Sequence, residues 1–150
     1  MSQLAKPVIR PLTPADQQQW ERLWREYLDF YQSELNEDIY EQTFQKLSQS
    51  DYEAMFGFVA ESEGKLLGIV NCINHDHGWK TQQVVYLQDL YVSADARKLG
   101  LGQALIEAVY EYADQNNKAN VYWMTQTSNT TARKLYDRIG TQTDFIKYQR

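Results

Sequence analysis

Between Trp20 and Tyr31 apolar residues recur every three or four positions, and Trp20, Leu23, Trp24, Tyr27, Phe30 and Tyr31 fall on one broad helical face. Thr13-Pro14-Ala15-Asp16 just ahead of them reads as the helix start, with Thr as cap, Pro in the first turn and Asp16 at the positive end. Tyr40, Phe44 and Leu47 repeat the spacing in a shorter helix. Residues 56–61 and 66–73 are strand-like and are joined by the turn Ser62-Glu63-Gly64-Lys65, followed by a polar loop over 74–83. The longest strand candidate is 84–92, dense in Val, Leu and Tyr. A further periodic helix carries Leu101, Ala104, Leu105, Ala108, Val109 and Tyr112, and Asn116-Asn117 stops it. The last helix carries Ala132, Leu135, Tyr136 and Ile139 and is predicted to end at Gly140 as a left-handed cap. Short strands over 8–10, 121–125 and 145–148 complete the order β-α-α-β-β-β-α-β-α-β. That order predicts an α/β fold, a mixed central β-sheet with helices on both faces.

Composition narrows the picture. The 150 residues suit a single domain spanning 1–150, and seven Gly and three Pro leave no room for a long linker. Cys72 is the sole cysteine and sits in an apolar run, so a buried thiol is expected and no internal disulfide can form. Residues 1–10 carry no apolar signal segment and no stretch approaches membrane-spanning length, so a soluble, cytoplasmic chain with no membrane partner is expected. The net charge is −5 and basic residues cluster only as the pairs Arg97-Lys98 and Arg133-Lys134. That balance argues against nucleic-acid binding and permits a cationic substrate. His75-Asp76-His77 reads as a solvated loop, since zinc normally takes three or four ligands, and no metal is expected.

The segment that carries chemistry runs from Val84 to Gly102 and into the following helix. A long strand leads to a glycine-bearing turn and then a helix start, so several backbone N–H groups converge with the helix dipole behind them. Gly100 and Gly102 lack a Cβ and let a ligand oxygen approach the main chain. Phosphate or pyrophosphate binding is implied. The segment lacks the Gly-Lys-Ser/Thr of a P-loop and the third glycine of a dinucleotide fingerprint.

Arg97-Lys98-Leu99-Gly100-Leu101-Gly102 fits Gln/Arg-x-x-Gly-x-Gly/Ala, the signature of the GNAT acetyltransferase superfamily. The strand 86–92 resembles that family's central strand, and Asn129-x-x-Ala132-x-x-Leu135-Tyr136 its second coenzyme-side motif. Ile9-Arg10-Pro11 followed by Asp16 also resembles the family's start, so the likeness covers nearly the whole chain. Within the superfamily, the Leu-x-Asp-Leu-Tyr-Val strand and the aromatic first helix are most similar to diamine and polyamine acetyltransferases and their fungal histone/polyamine relatives. The resemblance implies the GNAT fold and an N-acetyltransferase moving the acetyl group of acetyl-CoA to a primary amine. A small diamine or polyamine is the implied acceptor; protein lysine, including histone tails, and a non-catalytic acetyl-CoA-binding sensor are the alternatives. It also implies a homodimer, with the C-terminal strand as a site of exchange.

Residue roles follow from the same resemblance. The backbone of Leu90, Tyr91 and Val92 would pair with the pantetheine amides. The amides of Lys98, Gly100, Leu101, Gly102 and Gln103 would cradle the pyrophosphate, with Arg97 supporting the loop and Lys98 standing where glycine is often found. Asn129 would contact the coenzyme, although locally it reads as a helix N-cap. Tyr136, by spacing a core residue, becomes the general acid for the departing thiolate. Polyamine enzymes associate proton removal with a glutamate where this chain has Gln88, which leaves Asp89 as the neighbouring acid. Adjacent strand residues point to opposite faces, so Gln88 and Asp89 cannot both reach one cleft unless a bulge intervenes. The stripe Trp20, Trp24, Tyr27, Tyr31 is expected to be mostly core, with some edges, beside Glu26 or Glu34, walling the acceptor site.

Overall fold

The computed structural model describes residues 6–150, and the first half of the 1–10 segment read above lies outside them. Val8–Pro11 (β1) runs antiparallel to Met55–Ser62 (β2), β2 to Lys65–His75 (β3), and β3 to Val84–Val92 (β4). Val121–Tyr122 (β5) lies parallel to β4, so the sheet is mixed, in the order β1-β2-β3-β4-β5.

Helices cover both faces because their apolar stripes each need a partner. Gln17–Phe30 (α1) and Glu37–Ser48 (α2) bury Trp20, Leu23, Trp24, Tyr40, Phe44 and Leu47 against Val59, Leu66 and Ile69. On the other face, Leu101–Gln115 (α3) buries Leu105, Ile106 and Val109 against Val70, Cys72, Val85 and Leu87. Thr130–Ile139 (α4) lays Leu135, Tyr136 and Ile139 along that second cluster. Among the described residues no helix is long and apolar enough to cross a membrane.

A forked ion pair ties β1 to the start of α1. Arg10 Nη1 and Nη2 donate to Asp16 Oδ2 and Oδ1 at 2.8 and 2.9 Å, and Arg10 Nε donates to Glu61 on β2. Asp16 also accepts the Thr13 amide at 2.8 Å, from a 3₁₀ turn over Pro14–Asp16 that precedes α1. Burial pushes the Asp16 carboxyl up, but the Arg10 and Thr13 hydrogen bonds outweigh it and hold the acid below its usual range.

The C-terminal end departs from expectation in three places. The strand predicted over 121–125 is only Val121–Tyr122, because its ladder to β4 stops after Val85↔Val121 and Tyr86↔Tyr122. Residues 145–148 form no strand: Phe145, Ile146 and Tyr148 stand 86%, 75% and 87% exposed, and strand propensity without a pairing partner does not make a strand. Gly140 is extended at φ −142°, not left-handed, and what it avoids is contact, since a Cβ there would lie 2.9 Å from the Trp123 ring.

Asp16→Ala should lower stability by about 2–3 kcal/mol near neutral pH, because it strips Arg10 of its buried partner. Because the folded-state pKa is depressed, this contribution is complete above the usual carboxylate range and is lost as pH falls through the depressed value. Urea unfolding of both proteins at falling pH measures the narrowing gap. A gap that stays constant in acid would locate the loss outside the ion pair.

Candidate active site

β4 continues to Val92, yet it pairs with β5 only through Val85 and Tyr86. Among the described residues that edge of β4 has no strand neighbour from residue 87 onward, and a wedge opens between the two strands. Leu90, Tyr91 and Val92 lie along it, where an extended amide-bearing ligand can add as a strand does.

At the wide end of the wedge, Val92, Ala96, Arg97, Lys98, Gly100, Leu101, Gly102 and Gln103 line a cavity of about 250 Å³, with Leu135 and Arg138 of α4 completing its wall. Gly100 is the N-cap of α3 with φ 75°, in the left-handed region, and open space lies where a Cβ would project. Lys98 takes φ 71°, which costs a non-glycine residue about 1 kcal/mol. The first backbone bond of α3 runs from the Ala104 amide to the Gly100 carbonyl at 3.1 Å, leaving the amides of Leu101, Gly102 and Gln103 without an intrahelical acceptor. No acidic residue occupies the first turn of α3, whereas α2 begins with Glu37 and Asp38. Free amides, the helix dipole, Arg97, Lys98 and Arg138 together suit a pyrophosphate.

Individual residues in this corner divide the labour. Arg97 Nε donates to the Val92 carbonyl at 3.3 Å and its guanidinium lies 5.8 Å from the Tyr91 ring centroid, a loop-supporting arrangement. A Cβ on Gly102 would meet Leu135 at 3.4 Å, so this glycine also sets how closely α3 approaches α4. Asn129 occupies the N-cap position of α4 without capping it by its side chain, and its Nδ2 donates to Thr125 Oγ1 at 3.2 Å. It does not line the cavity.

The acid lies farther back along β4. Asn71 faces Asp89 and Cys72 faces Leu87, so Gln88 is an extra residue without a partner on β3. This bulge leaves Gln88 exposed and turns Asp89, 6% exposed, toward α1. Asn71 Nδ2 donates to Asp89 Oδ2 at 3.1 Å, while Asn71 Oδ1 accepts from Trp20 Nε1 at 3.0 Å. Burial pushes the Asp89 carboxyl up, and hydrogen bonding from Asn71, Tyr27 and Trp24 pulls it back without cancelling the rise. The Trp24 indole N–H closes no hydrogen bond at contact distance, so its pull on Asp89 is the weakest of the three. Burial, with Asp89 behind it, raises the Tyr27 phenol and the Cys72 thiol; burial, then Tyr122 and Asp89, raises Tyr86. These neighbours therefore stay neutral around one carboxylate, a setting that favours an ammonium ligand.

Tyr136 stands on the opposite wall. It is half-buried beside Trp123, with ring centroids 5.5 Å apart, and burial followed by the nearby Tyr31 phenol keeps its own proton in place. Tyr31 in turn packs edge-on to Tyr27 at 5.0 Å, so a row of phenols links the Asp89 side of the cleft to the Tyr136 side. Glu26 accepts from the Tyr91 hydroxyl at 3.1 Å, and Glu34 is exposed. His75 Nε2 shares a 2.7 Å hydrogen bond with the Tyr122 hydroxyl, and no metal-ligating cluster forms among the described residues.

Three contributors escaped the sequence reading. Asn71 had a signal, a lone amide inside an otherwise apolar run that must find a partner when buried. Tyr86 and Arg138 had none, because their positions depend on where β4 leaves β5 and on how α4 docks.

The chain is similar to known proteins. The model of the acetyltransferase (GNAT) family matches residues 20–141. A D-amino-acid N-acetyltransferase, HPA3, of Saccharomyces cerevisiae is 33% identical over 95% of this chain and 89% of its own. An uncharacterised N-acetyltransferase, YhfO, of Bacillus subtilis is 28% identical over 84% and 85% of the two chains. Among solved structures, the aminoglycoside acetyltransferase AAC(6')-Iy in complex with a CoA bisubstrate analogue superimposes with a TM-score of 0.84 at 20% identity, covering 97% and 98% of the two chains. That last likeness is one of fold.

Asp89→Asn should raise Tm near neutral pH, because the amide keeps an acceptor for Asn71 without burying a charge. The folded-state pKa of Asp89 is raised, so the carboxyl's favourable contribution is complete below the ordinary value of 3.8 and is lost as pH rises through the raised one. The variant's advantage should therefore shrink toward about pH 4. Thermal unfolding of both proteins across this range is the measurement, and an unaltered Tm at pH 7 would mean that water reaches Asp89 freely.

Proposed function

The chain belongs to the acetyltransferase (GNAT) family, and from that premise we propose that it carries the acetyl group of acetyl-CoA to the primary amine of a small molecule. The carrying observation is Asp89, buried beside Trp24, Tyr27 and Tyr86 three residues before Val92, which lines the cavity that suits a pyrophosphate. In this reading the α3 amides and Arg97, Lys98 and Arg138 hold the phosphates, and the unpaired edge of β4 takes the pantetheine arm. Asp89 receives the ammonium and accepts a proton from it, since only the neutral amine has a lone pair for attack. Backbone N–H groups of the β4 edge stabilise the oxyanion that forms at the thioester carbon. As that intermediate collapses, the C–S bond breaks, Tyr136 gives its proton to the thiolate, and the nitrogen's second proton returns to the Tyr136 phenolate to leave a neutral amide.

A free amino acid is the first acceptor to test, because the yeast relative matched almost end to end is a D-amino-acid N-acetyltransferase. A diamine or polyamine is the second reading, favoured by the net charge of −5 and by Glu26 near the cleft. Release of free CoA across D- and L-amino acids, polyamines, aminoglycosides and lysine peptides separates the classes. A small amine should give the higher kcat/KM; preference for a lysine peptide would make protein the acceptor.

Tyr136→Phe should reduce kcat by about 10²–10⁴-fold while the acetyl-CoA Kd stays within experimental error. Calorimetry paired with steady-state kinetics tests both halves, and a near-normal kcat would return Tyr136 to packing alone.

A further inference from the structure

One fully buried polar side chain has no part in the steps above. Asn71 is 3% exposed, at the centre of β3, between the Trp20 indole and the Asp89 carboxylate. We infer that Asn71, locked in one amide orientation by Trp20, is a positioning residue that keeps Asp89 charged and ready to accept a proton. The inference rests on the reading that Asp89 serves the acceptor amine.

An amide side chain has a donating end and an accepting end, and a half-turn exchanges them. Facing Asp89 with its oxygen, Asn71 would oppose the carboxylate's charge; facing it with its NH₂, it supports that charge. Trp20 decides between the two. An indole N–H only donates, so at 3.0 Å it can be satisfied only by Asn71 Oδ1, which turns Nδ2 onto Asp89 at 3.1 Å. Trp20 cannot swing away: it is 0% exposed and packed against Trp24 at 4.9 Å and Phe44 at 5.3 Å.

The surroundings make this donor matter. The titratable groups on the Asp89 side among the described residues are Tyr27 from α1 and Tyr86 from β4, with Cys72 of β3 turned to the α3 core on the other face, and each is held in its neutral form. None of them is a cation, so hydrogen bonds alone offset the burial of the charge. Tyr27 lies in the row of phenols that borders the cleft, where an acceptor can compete for it. Asn71 lies behind Asp89, inside the core, and remains bonded whether or not an acceptor is present.

The test is the pH dependence of kcat/KM, with acetyl-CoA and the best amine of the panel, for three variants. Asn71→Leu removes the donor. Asn71→Asp keeps an acceptor for Trp20 but sets a second carboxylate against Asp89. Trp20→Phe removes the lock while keeping an aromatic ring in the core. The acid limb should move to higher pH by about one to two units in both Asn71 variants, and by less in Trp20→Phe. Activity should recover at alkaline pH, and the acetyl-CoA Kd should not change. Folded variants that lose activity equally at every pH, or keep the limb in place, would reduce Asn71 to a structural role. If Asn71→Leu does not fold, Asn71→Asp and the milder Trp20→Phe give the same decision. Asp89→Asn serves as the control: if it keeps the acid limb, the role given to Asp89 fails, whereas its loss alongside unshifted Asn71 variants overturns only this inference.

Discussion

Gln88 is one residue too many for the ladder between β3 and β4, and the rest of the site is arranged around that slip. Ahead of it, Val85 and Leu87 pack toward α3; beyond it, Leu90 and Val92 take that face, and Tyr91 packs with the α1 cluster. Strict alternation would have carried 85, 87, 89 and 91 to one side and placed Asp89 among Leu105, Ile106 and Val109, where no donor could meet its charge. The bulge changes parity within one strand. It sends a carboxylate to the face where Asn71 donates to it beside the rings of α1, while the apolar residues on either side remain in the α3 core. A bulge also increases local twist, and β4 loses β5 two residues earlier, after Tyr86. The buried acid and the open wedge thus occupy the same irregular stretch of strand.

This stretch also separates two charges of opposite sign. The protein is acidic overall, yet Arg97, Lys98, Arg138 and three free amides gather at the start of α3. Val92 lines that positive corner, and Asp89 precedes it by three residues, about 10 Å along a strand. In the proposed reaction, an acyl donor with anionic phosphates and an acceptor with a cationic amine would be drawn to different ends of this stretch. Their reactive groups would then meet along the unpaired edge between, where backbone N–H groups are available.

Strong local patterns made most of this legible in the chain itself. The 3.6-residue stripes located α1, α3 and α4, and the glycine spacing from Arg97 to Gly102 marked the turn into α3 that lines the cavity. Asp89 was picked out by its chemistry, but whether it could reach the cleft depended on a one-residue slip that periodicity does not encode. The C-terminal strands misled for a related reason. Phe145, Ile146 and Tyr148 have strand-like side chains, but a strand exists only where another edge supplies its hydrogen bonds. Gly140 misled because helix-ending glycines are commonly left-handed, whereas here a ring from a neighbouring segment excludes the Cβ.

The aromatic content of α1 follows from the problem of burying an acid. Aliphatic side chains would pack as well but offer Asp89 nothing, and charged partners would bring their own desolvation penalty. Trp and Tyr combine a large apolar body with one N–H or O–H at the rim, so the same residues fill the core and present donors inward. Trp20 is 0% exposed and still supplies the hydrogen bond that orients Asn71. Compensation is incomplete, since the Asp89 carboxyl remains raised despite its donors. A fully satisfied acid would be more stable and also a weaker proton acceptor, because each donor that supports the charge lowers its basicity. The packing of α1 and α2 against β3 supplies the stability that lets the site keep its carboxylate only partly satisfied, and in the proposed reaction that residual basicity is what lets Asp89 take the amine's proton.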